Sequence, residues 1–186
     1  MPDSDSPAMS AKDLNDVCSR TMYTIDGLWF LAVEEQFGFE AAFKLNQVVW
    51  ARCSFIHGRR LLNKLDLNGK PTLERLIGLL SADPMMSVHN GQVTTLTDNT
   101  LVFRCIDCPI QVARIRAGRG VYNGKPGCML FFNAFAKLID PRIETTCLAC
   151  APNPENPEYW CEWQFTLTKE KNDQDKRRHE MPNEKH

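Results

Sequence analysis

The stretch VTTLTDNTLVFRC, residues 93–105, decides how this chain folds. Its β-branched residues flank Asp98-Asn99, so it reads as two strands, 93–97 and 101–105, joined by a hairpin turn. Everything before it has helical spacing. Met22, Ile25, Trp29 and Ala32 share one helical face, and that pattern halts near Gly38. A second helix starts at Phe39 or Glu40 and runs to about Leu65, with Leu45, Val49, Cys53 and Ile56 on one stripe. Asn68-Gly69 breaks the chain, and Pro71 suits the first turn of a third helix that ends before Pro84.

After the hairpin, Cys108 to Ala117 reads as a short helix closed by Gly118 and Gly120. From Gly127 to Ile139, Cys128, Phe131, Phe132, Phe135 and Leu138 return to helical spacing. Strands over 142–148 and 158–168 complete the order. The prediction is α+β: amino-terminal helices packed on an antiparallel sheet, with a helix between two hairpin-like strand pairs. One domain is expected over 12–168, with a helical half, 12–83, and a cysteine-rich ββαββ half, 84–168. It lies between a polar lead-in, 1–11, and a charged flexible tail, 169–186, too poor in apolar residues to offset its ordering entropy.

Composition narrows the function. A net charge of −1 over 186 residues, with no basic stripe, argues against nucleic acid as a partner. The strongest apolar run, Leu28 to Val33, is far too short for a membrane span, and residues 1–10 lack the features of a secretory signal. The expected compartment is the cytoplasm, where thiols stay reduced. Eight cysteines then point to metal or redox chemistry before disulfides.

Six of those cysteines lie in the second half, including two C-x-x-C pairs, Cys105/Cys108 and Cys147/Cys150. Cys128 sits on the apolar stripe of its helix. Cys161 shares strand parity with Tyr159, Trp163, Phe165 and Leu167, and Cys147 shares that of Ile143 and Thr145. One helix and two strands therefore bring three thiols together, a donor set suited to zinc. Cys105, Cys108 and Cys150 stand in reserve, to complete the site or to act as a redox or nucleophilic thiol. Glu144 has the opposite parity to Cys147 and joins only through a bulge or a strand end.

The stretch from Gly127 to Phe165 resembles the carboxy-terminal part of 4-vinyl reductase-type domains, which include phenol-sensing domains of some bacterial transcription activators. The residues that carry the resemblance are Cys128, the run Glu144-Thr-Thr-Cys147-Leu-Ala-Cys150, and Cys161-Glu-Trp-Gln-Phe165. The resemblance implies a zinc ion held by Cys128, Glu144, Cys147 and Cys161. It also implies an apolar cavity for a small aromatic ligand, which we place among Trp29, Trp50, His57 and Phe131. Such a sensor would work as a homodimer or through a separate effector protein.

The spacing of Cys108-Pro109, Cys128 and Cys161-Glu162 is similar to that of L-2-amino-thiazoline-4-carboxylate hydrolases, and the helical half resembles uncharacterised cytosolic bacterial proteins. That likeness implies a small hydrolase of a cyclic C–N bond with Cys108 or another thiol as nucleophile. A thiol redox or iron–sulfur protein is the third alternative.

Overall fold

In the structure, a computed structural model, residues 9–152 and 158–169 are described. Residues 1–8 of the lead-in and the tail beyond 169 lie outside them.

Helix α1, Ala11–Phe37, starts at Ser10, whose hydroxyl accepts from the Asp13 N–H at 3.1 Å. Gly38 ends it. With φ at +84°, a value that suits glycine, that single residue reverses the chain into α2, Phe39–Leu62. The helices return antiparallel: Asp26 accepts from Asn46 at 3.1 Å and from Trp50 at 3.2 Å, and Phe30 meets Phe39 edge-on. Helix α3, Thr72–Ala82, buries Leu73, Leu76, Leu79 and Leu80. Its amino-terminal cap is Pro71, so the proline lies one place before the first turn rather than inside it.

A one-turn helix not anticipated from the sequence follows, α4, Pro84–Ser87. Asp83 caps it by accepting from the Met85 N–H at 2.8 Å. The same carboxylate oxygen holds His57 at 2.9 Å.

Strands β1, Gly91–Leu96, and β2, Thr100–Cys105, form the expected hairpin about Asp98-Asn99. Two helices come next, α5, Pro109–Arg116, and α6, Lys125–Ile139. The chain closes with β3, Ile143–Cys150, and β4, Cys161–Leu167. The four strands pair antiparallel in the order β1-β2-β4-β3, so β4 inserts between the first hairpin and β3. The predicted α+β class is the observed one.

Helix α6 is apolar on two sides and lies between the sheet and α2. Phe132 packs 4.8 Å from the Trp163 ring on the sheet side. Trp50 and Phe131 meet at 6.5 Å on the α2 side. Lower down, the two helices come close enough that a Cβ on Gly58 would sit 2.5 Å from Leu138 Cδ1 and 3.3 Å from Phe135 Cε2. A leucine at 58 should therefore cost stability. Its gain in helix propensity, about 0.8 kcal/mol, is smaller than the roughly 1–3 kcal/mol of overpacking. Urea unfolding of Gly58→Leu is expected to show that loss. Gly58→Ala should lie near wild type, because the shift of the Leu138 side-chain end and the few tenths of an ångström that Phe135 must give are offset by about 0.8 kcal/mol of helix propensity.

Candidate functional site

Three cysteines are set abreast by strand register. Cys105 closes β2, Cys161 opens β4 opposite it, and Cys150 closes β3 opposite Cys161 on the other side. Cys147 and Cys150 are three residues apart and would face opposite ways in a regular strand. A bulge between Cys147 and Ala149 adds the residue that changes this: Cys147 pairs with Trp163 and Cys150 with Cys161, both on the inner face. Cys128 arrives from the first turn of α6. That helix start is tied to the sheet by the Gly124 N–H, which donates to the Ala151 carbonyl at 3.3 Å. Cys108 is the residue from which α5 departs.

The thiols interact in pairs. Cys161 contacts Cys105, and its hydrogen bond together with burial holds the Cys105 thiol well above its ordinary range. Cys128 donates to Cys150 and is itself pushed far up by that bond and by burial. Burial alone is the main cause that lifts Cys108 to about 12, and burial followed by repulsion from Cys150 lifts Cys147 to about 11. Cys150 goes the other way. The Cys128 thiol is the chief cause of its lowered pKa, helped by the Ala151 N–H, Cys147 and the charge of Lys125. One thiol in the group is thus made more acidic while Cys105, Cys108, Cys128 and Cys147 beside it are made less so.

The expected ligands fare differently. Cys128, Cys147 and Cys161 do face one side, and Cys105, Cys108 and Cys150 join them there. Glu144 does not: it lies exposed on the outer face of β3, opposite Thr166, with no bulge on its side of Cys147 to turn it inward. Among the described residues, no three His, Cys, Asp or Glu side chains already stand round a common point as a metal requires. Cys108, the proposed nucleophile, is held protonated at neutral pH by burial, the opposite of what nucleophilic attack needs.

A cavity of about 420 Å³ lies against the cluster, between α1, α2, α4, α5 and α6. Cys105, Cys108, Cys128 and Cys161 form part of its wall, with Phe30, Leu31, Trp50, Met85 and Phe131 as apolar lining. Of the four residues expected round a pocket, Trp50 and Phe131 line this cavity. Trp29 does not: it is 70% exposed on the outer side of α1. His57 does not either, because Asp83 holds it beside Phe135, away from the cavity.

Four polar residues of the cavity were not anticipated. The Asp26 carboxyl is raised by burial, against the bonds from Trp50 and Asn46. Tyr23 donates to the Met85 carbonyl at 3.4 Å and lies 3.5 Å from His89 Nδ1, whose pKa burial lowers. Arg114 pairs with Glu34 at 2.9 Å, and its guanidinium lies 5.1 Å from the Tyr122 ring centre and 5.6 Å from that of Phe30. Tyr23, Asp26 and Phe30 recur at helical spacing on α1, which is the one sequence feature that could have marked this flank.

The family model of a Family of unknown function (DUF6125) matches residues 10–167. No curated protein and no solved structure matches the chain.

The inverted order of thiol acidity has a direct readout. Iodoacetamide treatment of chelator-treated protein at pH 7.5, followed by peptide mass spectrometry, should label Cys150 ahead of Cys108 and Cys147. Labelling of Cys108 first would contradict the arrangement.

Proposed function

This chain belongs to the Family of unknown function (DUF6125), and we propose that it is a sensor-like domain binding one small apolar or aromatic molecule. The observation that carries this is the cavity of about 420 Å³, whose walls are mostly apolar. Its size falls within the roughly 300–1,000 Å³ typical of small-molecule sites, and a few polar groups converge on it to fix orientation. Binding rather than catalysis is favoured because the lining thiol Cys108 is kept neutral, its pKa pushed up to about 12. Among the described residues no helix is long and apolar enough to cross a membrane. The reading takes the protein to be cytosolic, where free thiols persist.

Gly27 gives a clean test. It lines the cavity, and a Cβ there would meet nothing within 4 Å. Gly27→Leu should fill the space while favouring the helix by about 0.8 kcal/mol. Phenol and toluene serve as probes. Either, at about 100 times its dissociation constant, should stabilise the wild type by about 2.7 kcal/mol and raise its Tm. Gly27→Leu should fold, with a Tm at or above wild type, and lose the shift. No shift with any of a panel of one-ring aromatics would overturn the reading, as would an unchanged shift in Gly27→Leu.

Zinc enters the same reading through the donor chemistry of the cluster. Cys128, Cys150 and Cys161 would hold the ion, Cys150 taking the place of the expected Cys147 because it stands opposite Cys161 and contacts Cys128, with Cys105 or Cys108 as the fourth donor in place of Glu144. A closed set of four thiolates supplies folding energy rather than a reaction site. Metal analysis of purified protein should find about one zinc per chain. Cys150→Ser should lose it and melt lower, whereas Glu144→Gln should keep it. Metal-free wild-type protein with an unchanged melting curve would remove zinc from the account.

A further inference from the structure

The apolar stripes that stand out along the first two helices do not face the core. On α1, six large apolar side chains between Leu14 and Trp29 are more than a third exposed, with Ile25 at 55% and Leu28 at 62%. On α2 five more, between Leu45 and Ile56, are equally open, Val49 at 57% among them. Helical spacing puts Ile25 and Trp29 of α1, and Leu45, Val49 and Ile56 of α2, beside the seam between the two antiparallel helices. Both stripes turn to the same side of the hairpin, away from the cavity flank that carries Tyr23, Gly27 and Leu31. An apolar surface this wide is unusual on a protein that stays alone in water.

We propose that this face is the interface of a homodimer, in which two copies bring their α1–α2 hairpins together as a four-helix layer. Two observations favour a second copy. About ten half-exposed apolar side chains can supply on the order of 800 Å², the share a standard interface takes from each partner. Residues 170–186 are a poor alternative cover, with Met181 as their one large apolar side chain. The two helices together carry six Asp/Glu against six Lys/Arg, which gives no net attraction to an anionic lipid surface.

Light scattering on the full chain should give a mass near twice the 21.2 kDa of one copy at high micromolar concentration. The double variant Ile25→Glu/Val49→Glu should halve that mass while keeping the helical circular dichroism spectrum. A readout on the wild type guards against a variant that fails to fold. Cys18 is exposed and on the α1 stripe, so its alkylation should slow on the order of tenfold at concentrations where the mass doubles. A wild-type monomer at high micromolar concentration would overturn the proposal. So would a dimer that persists in the folded double variant, or Cys18 alkylation that ignores concentration. A monomer that binds phosphatidylcholine–phosphatidylglycerol vesicles, or a monomer whose stripe is protected by residues 170–186, would do the same.

Discussion

Helix α6 has to satisfy two neighbours at once. On one side Phe132 lies against Trp163, and on the other Gly58 leaves room for Phe135 and Leu138 against α2. That double packing fixes the distance between the helical hairpin and the sheet, and so leaves a gap at the end where α6 begins. The cavity is that gap. Cys128 and Phe131 occupy its edge because they sit in the first two turns of the helix, where it has already left the sheet core.

The same end of the sheet gathers the thiols, and burial makes that gathering costly for charge. Six thiolates packed so closely would repel one another strongly, so burial and neighbouring thiols hold Cys105, Cys108, Cys128 and Cys147 above the ordinary thiol range. Cys150 is the exception because it has donors on several sides, with Lys125 nearby. A divalent cation would invert this order by favouring every deprotonated donor it touched.

Much of the fold was legible from residue spacing. The hairpin about Asp98-Asn99, the turn at Gly38, the inward parity of Cys161 and the apolar stripe of α6 all follow from local pattern. The short α4 was not legible, because four residues offer no period and its cap, Asp83, also serves His57 from another helix. The site was legible only in part. Spacing shows that Trp29 lies on an apolar face but not what covers that face, and its ring is largely exposed rather than turned to the cavity. Glu144 was inferred from a resemblance, and strand parity, which argued against it, describes its position. The bulge that turns Cys150 inward depends on pairing with β4 and leaves no mark in the local sequence.

Helix α1 has two working flanks. Tyr23, Gly27 and Leu31 look onto the cavity, while Ile25, Leu28 and Trp29 look outward, and one glycine separates the rod from α2. A rigid element shared in this way makes its two surfaces thermodynamically reciprocal. Any occupant of the cavity that rolls or shifts α1 alters the free energy of contact on the outer flank by some amount. Contact on the outer flank then alters the occupant's affinity by the same amount, with the same sign.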